Sequence, residues 1–90
     1  MRLHTLGVLL AWVLWSKVST VGGSAPGESW QLVSETTTEA QCRALQEQEA
    51  ERAPGDIPIP GGKMTVGSGG HITRYTYECL PATIDPRHRG

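Results

Sequence analysis

Cysteine and histidine are the residues of this chain with the greatest scope for chemistry, and they are few. Cys42 and Cys79 are the only cysteines, and no CxxC or HxxxH pair occurs. A zinc site needs ligands clustered at regular spacing, whereas His71 and His88 are scattered with respect to both cysteines. We therefore predict no metal site. A disulfide between Cys42 and Cys79 explains both residues with fewer assumptions.

The glycine-rich segment Pro54–His71 invites comparison with phosphate-binding loops, but its spacing does not fit. Met64 follows Lys63 where a P-loop requires serine or threonine. Ile72 stands in place of the third glycine of a dinucleotide-binding fingerprint, and a predicted strand rather than a helix follows. Cys79 or a serine can be combined with a histidine and an acid, but in no recognisable local motif. We predict no cofactor and no catalytic residue, and we rank a small enzyme third among the functional hypotheses.

Cys79 lies in TRYTYECLP, the segment on which the predicted fold depends. A period of two places Tyr75, Tyr77 and Cys79 on one face. The other face carries Arg74, Thr76 and Glu78. These residue types predict a half-buried strand over 72–80, which Pro81 ends because proline cannot donate to the next strand.

Cys42 lies in the first turn of the one clear helix. Thr38 and Gln41 form a capping box, and an alternative box begins two residues earlier. Good helix formers follow, and Pro54 with Gly55 ends the pattern. We predict a helix over 39–52.

The start of the chain supports two interpretations. The apolar run Leu6–Trp15 is shorter than the ~20 residues that span a bilayer, and it fits a signal peptide. Cleavage after Gly23 would then remove residues 1–23. Alternatively, residues 11–18 form a first strand, residues 22–29 a turn and residues 29–35 a second strand, which leaves 1–10 as an apolar export segment. Periodicity does not separate the two interpretations.

A chain this short needs a covalent link to add to the stability of its small core. The chain has 90 residues, one domain at most, with few large apolar side chains after Gly22. Each contributes about 1.5–3 kcal/mol when fully buried, which barely offsets about 1–2 kcal/mol of backbone entropy per ordered residue. The thin core and the export-like start therefore favour a Cys42–Cys79 disulfide over two buried thiols in a reducing compartment.

The charge of the chain argues against nucleic acid as a partner. Of eight basic residues, Arg2 and Lys17 precede Gly22, so six bases face nine acids in the rest of the chain. Nucleic-acid-binding proteins carry a basic stripe that neutralises phosphate, and the sequence has none. We expect no nucleic-acid partner, and we interpret the bases of Arg87–Arg89 as part of a solvated tail.

Together these elements predict an α+β fold with the order β-β-α-β. One helix covers a small three-stranded sheet, and the disulfide staples the two in a single domain over residues 11–90. We predict residues 54–71 as a flexible loop or a loosely formed hairpin, in which Lys63–Val66 is a candidate edge strand, and residues 81–90 as an extended tail.

Four features form a larger pattern: WVLW at Trp12–Trp15, Trp30 ahead of the helix, Cys42 in its first turn, and YECLPATIDPR at Tyr77–Arg87. In this pattern the chain resembles short uncharacterised bacterial proteins, exported or presumed exported, that end in a similar Cys-Leu-Pro-x-Thr-Val-Asp-Pro-Arg phrase. The chain departs from that phrase at Ala82 and Ile84, where Asp and Val are expected. The resemblance implies that WVLW is a strand of the mature protein and that residues 1–10 are the remnant of a longer export signal. It implies no established activity.

We predict a small exported protein, periplasmic or extracellular, with a non-catalytic binding or structural role in the cell envelope. Its N-terminal apolar segment would contact the membrane transiently. The alternative is a membrane-associated protein that the uncleaved Leu6–Trp15 segment anchors. Trp30, Tyr75 and Tyr77 are candidates for an aromatic binding surface, but core and cross-strand packing is the interpretation that we favour.

Overall fold

The computed structural model of this chain describes residues 11–22 and 27–88. The predicted export segment 1–10, the middle of the predicted turn at 22–29 and the last two residues of the predicted tail lie outside the described residues. The described residues form a five-stranded antiparallel sheet with one α-helix. The predicted three-stranded β-β-α-β sheet is therefore wrong.

In chain order the elements are β1 (Trp12–Val21), β2 (Gly27–Thr36), α1 (Glu39–Arg52), β3 (Ile57–Ile59), β4 (Gly62–Val66) and β5 (Ile72–Pro81). The strand order across the sheet is β2-β1-β5-β4-β3. The first and last strands are thus paired in the middle, and Leu14 of β1 lies opposite Cys79 of β5. This pairing makes WVLW part of a central strand, as the strand interpretation of the start predicted.

Strands β3 and β4, which the predicted three-stranded sheet does not include, come from the glycine- and proline-rich segment that we expected to be a flexible loop or a loosely formed hairpin. Ile57 pairs with Met64 and Ile59 with Gly62, so the segment is a hairpin. Gly62 packs so closely against β5 that a Cβ atom would overlap the carbonyl oxygen of Tyr75. Glycine is needed at this position for a close strand approach rather than for flexibility. The candidate edge strand Lys63–Val66 lies within β4, which is an inner strand because β3 pairs with its outer side.

Helix α1 has the predicted bounds because its local signals are strong. Thr38 Oγ1 accepts a hydrogen bond from the Gln41 amide at 3.1 Å, and Gln41 Oε1 accepts one from the Thr38 amide at 3.2 Å. This is the predicted capping box. An ion pair between Glu39 and Arg43 supports the first turn from the solvent side.

The sheet has two unlike faces. Helix α1 covers one, which we call the helix face, and the side chains of Leu14 and Cys42 are fully buried there. The opposite face, which we call the open face, carries Val13 and Trp15, since neighbouring strand residues point to opposite sides. Both are buried although no helix among the described residues covers them. The C-terminal segment covers this end of the open face, and Pro86 is buried within it.

Candidate functional site

The disulfide joins the two predicted site residues. Cys42 in the first turn of α1 is bonded to Cys79 on β5, with their Cα atoms 6.0 Å apart. Because Cys42 is fully buried, its sulfur is shielded from exchange with external thiols. The bond ties the helix to the centre of the sheet across 37 residues of sequence. Disulfides persist in oxidising compartments, so it indicates an oxidising, exported environment.

The aromatic residues that we considered as a binding surface lie on different faces. Tyr75 and Tyr77 alternate with Cys79 on the helix face, where both are half-buried. Trp30 lies opposite Lys17 on the open face, and the Lys17 ammonium is 5.3 Å from the centre of its ring. The three side chains therefore do not form one patch.

Two hydrogen bonds on the helix face tie α1 to the sheet, one to β5 and one to β4. Gln46 Nε2 donates a hydrogen bond of 2.7 Å to the Tyr77 carbonyl, at a point beyond the end of β4. Lys63 Nζ donates to the Glu51 carbonyl at 2.6 Å and so satisfies one of the last helix carbonyls. Burial raises the pKa of the Tyr77 hydroxyl, and nearby Glu49 adds to the increase. These contacts stabilise the fold and show no arrangement for chemistry.

A candidate site is a groove on the open face with a volume of about 450 Å³. Strands β1 and β2 form its floor, and the C-terminal segment forms its wall. Its lining mixes apolar side chains with two carboxylates and one guanidinium: Val13, Trp15, Leu32, Glu35, Ala82, Ile84, Asp85 and Arg87. Leu32 and Ile84 are each about half exposed, which leaves apolar surface open to a ligand.

Arg87 closes one side of the groove by stacking on Trp15. Its guanidinium lies 4.9 Å from the centre of the indole ring. Asp85 holds the guanidinium in place through hydrogen bonds from Arg87 Nε at 3.0 Å and Nη2 at 2.8 Å. This bidentate geometry combined with a cation–π contact suits arginine better than lysine. Arg87 is exposed to solvent, as predicted for the tail, but the segment that carries it is folded against Trp15 rather than extended.

The same contacts set the charges at the groove. Hydrogen bonding from the Arg87 side chain lowers the pKa of Asp85 from 3.8 to about 2, and the Asp85 carboxylate in turn raises the pKa of Arg87. His88 Nε2 lies 3.6 Å from the same carboxylate. Both partners of the Asp85–Arg87 pair thus stay charged at any physiological pH.

Trp15 is held by packing and by this stack. It is only 3% exposed, and its Nε1 atom has no hydrogen-bond partner among the described residues. A buried indole N–H usually finds an acceptor. In the part of the chain that the structure describes, no three His, Cys, Asp or Glu side chains are grouped as they would be to hold a metal ion.

No protein-family model, curated protein or solved structure matches the chain. The resemblance to short exported bacterial proteins therefore stays a prediction. Over residues 11–22 and 27–88, no helix is long and apolar enough to cross a membrane.

Sequence reasoning missed the groove because its parts come from distant segments. Trp15 lies in the segment that was ambiguous between signal and strand, and Leu32 lies in β2. Asp85 and Arg87 lie in the predicted tail. The available signal was the Asp-Pro-Arg phrase, in which a carboxylate and a guanidinium two residues apart flank a conformationally restricted proline. That phrase suggests a local ion pair, but it does not reveal the tryptophan beneath it.

Proposed function

We propose that this chain is a small exported protein of the cell envelope that binds a partner and catalyses no reaction. The observation that carries the proposal is the Cys42–Cys79 disulfide. A link of this kind needs an oxidising compartment in which to form, which in bacteria means the periplasm or the exterior. The resemblance to exported bacterial proteins points the same way.

The open-face groove supports a binding role over a purely structural one. Its lining combines a buried tryptophan, partly exposed apolar side chains and the Asp85–Arg87 ion pair. Binding sites typically combine an apolar lining with a few placed polar groups. The described groups that line the groove include no histidine, cysteine or serine, so no Ser–His or Cys–His pair stands there.

The central position of β1 bears on how export would proceed. Cleavage after Gly23 would remove β1, which pairs with β2 on one side and β5 on the other. The sheet would lose the strand that joins β2 to β5, together with the fully buried Leu14. We therefore place signal cleavage before Trp12, so that the strand stays in the mature protein.

Mass spectrometry of the native protein after cell fractionation tests the proposal. We expect a soluble envelope species that begins before Trp12 and is two daltons lighter than its reduced form. Alkylation without prior reduction should leave it unmodified. Recovery of an intact N-terminus in the membrane fraction would instead support the membrane-anchored alternative. A chain with two free thiols in the cytoplasm would rule out both.

A further inference from the structure

The two edges of the sheet differ in how open they are to another strand. Strand β3 has three residues, and its central residue, Pro58, has no amide hydrogen to donate. Strand β2 has ten residues and no proline, and most of its side chains are exposed. Its one irregularity is a bulge at Val33, the extra residue between the Leu14–Ser34 and Trp15–Leu32 pairs. Of the two edges, β2 is the one at which another strand can pair over a useful length.

The side chains along β2 define what such a strand would meet. On the open face, Glu28 and Glu35 lie near the two ends of β2, with Trp30 and Leu32 between them. Lys17 Nζ lies 3.5 Å from Glu28. No described basic side chain lies within 4 Å of Glu35, which sits at the rim of the groove. An incoming strand therefore meets apolar surface followed by an uncompensated carboxylate.

We propose that β2 binds an extended basic and apolar segment of a partner protein, which adds to the sheet as a sixth strand antiparallel to β2. This inference deepens the proposed binding role and rests on it. Main-chain hydrogen bonds along β2 would supply affinity, and alternate side chains over the open face would supply specificity. The partner places a basic side chain opposite Glu35 and apolar side chains opposite Leu32 and Trp30.

The pairing of β1 shows the spacing that the partner needs. On β1, Val13, Trp15 and Lys17 lie opposite Glu35, Leu32 and Trp30 respectively. These three positions are successive open-face residues of one strand. A partner in the same register therefore carries its basic residue first, and its two apolar residues two and four positions later.

A second copy of the chain fits this edge less well. When two β2 strands pair antiparallel over their whole length, Gly27 of one lies opposite Thr36 of the other. In that register Glu28 of each copy lies directly opposite Glu35 of the other copy, which makes two such pairs. Like charges directly opposite each other destabilise a strand pair. Because β2 has two acids and no base, it selects against itself and for a basic strand.

A synthetic peptide tests the proposal on the oxidised full-length chain. The peptide has about ten residues of alternating threonine and valine. One valine is replaced by lysine, so that the next two valines stand two and four positions after the lysine. We expect binding by isothermal titration calorimetry, with amide shifts in 15N spectra confined to residues 27–36 and the groove. Glu35→Gln should weaken binding roughly two- to fivefold, as expected for one exposed ion pair. The matched control Glu47→Gln, on the exposed side of α1, should leave Kd unchanged.

Two altered peptides separate strand addition from general charge attraction. Replacing the lysine by glutamine should weaken binding and remove the difference between the native chain and Glu35→Gln. N-methylation of the amides that face β2 should abolish binding, whereas N-methylation of the alternate amides should not.

The proposal is overturned if N-methylation of neither set of amides changes Kd, or if the amide shifts lie outside residues 27–36 and the groove. It is also overturned if the peptide does not bind at millimolar concentration, or if sedimentation shows that the chain alone is a dimer that Glu35→Gln strengthens. An exported, oxidised chain that ignores the peptide refutes this inference and leaves the export proposal standing. A chain found reduced in the cytoplasm refutes the export proposal whatever the peptide does.

Discussion

Breaking the Cys42–Cys79 bond should remove a large share of the stability of this chain. The bond closes a loop with a sequence separation of 37 residues, which is worth about 4 kcal/mol in the chain-entropy treatment of the unfolded state. Domains are typically stable by about 0.05–0.15 kcal/mol per residue, or about 5–13 kcal/mol for this length. Loss of the link therefore costs between a third and most of the total.

Two perturbations isolate the cross-link from packing. Chemical reduction keeps both sulfur atoms in place, whereas the Cys42→Ala/Cys79→Ala double variant removes them. We expect both to lower the free energy of unfolding by about 4 kcal/mol in urea titrations followed by far-UV circular dichroism. With a urea m value of about 1–2 kcal/mol per molar, the midpoint should fall by about 2–4 M. Adding reductant to the double variant is the matched control, and it should change nothing.

A reduced protein whose free energy of unfolding stays within about 1 kcal/mol of the oxidised form would refute this reasoning. That result would mean that packing of the helix face alone holds α1 on the sheet. A double variant much less stable than the reduced protein would assign the loss to the buried sulfur atoms rather than to the link.

Three further predictions concern the elements around the link. Gly62→Ala should lower the free energy of unfolding by about 2–3 kcal/mol or prevent folding, because the new Cβ overlaps a backbone carbonyl of the neighbouring strand. The matched control is Gly27→Ala, where a Cβ meets nothing within 4 Å, and it should be nearly neutral in the same urea titration. Thr38→Ala should destabilise the chain by about 1 kcal/mol through loss of the helix cap, while Thr38→Ser should retain most of that stability; equal losses would contradict the capping role. Asp85 should titrate near pH 2 by carboxyl NMR, so its pairing with Arg87 stabilises the fold above about pH 4 and ceases to do so as the pH falls through about 2. Arg87→Gln should return the Asp85 pKa toward 3.8, and an unchanged pKa would show that another group lowers it.

Several parts of the fold were accessible from local patterns because short-range chemistry specifies them. The Thr38–Gln41 capping box set the start of α1, and Pro54 limited its end, so the helix has the predicted bounds. Alternation in TRYTYECLP predicted β5, and an exclusive pair of cysteines left one possible intramolecular bond.

The sheet was underestimated because glycine has two structural uses that composition does not distinguish. A run rich in glycine and proline reads as a flexible loop when only its own residues are considered. Gly62 is instead required because β4 approaches the Tyr75 carbonyl of β5, which is a property of the neighbouring strand. Composition therefore left a flexible loop and a loosely formed hairpin open, and the neighbouring strand β5 decides for the hairpin β3–β4.

The amino-acid sequence alone was sufficient for the capped helix, the alternating last strand and the covalent link between them. Each of these rests on residues that are adjacent in sequence or unique in the chain. Three-dimensional packing was needed to bring Trp15 from the first strand beneath Arg87 from the C-terminal segment, and to make β2 the long edge strand of the sheet over the described residues. The physical reason is that these features arise from pairing between distant strands, and a strand's neighbours depend on the whole topology rather than on its own residues.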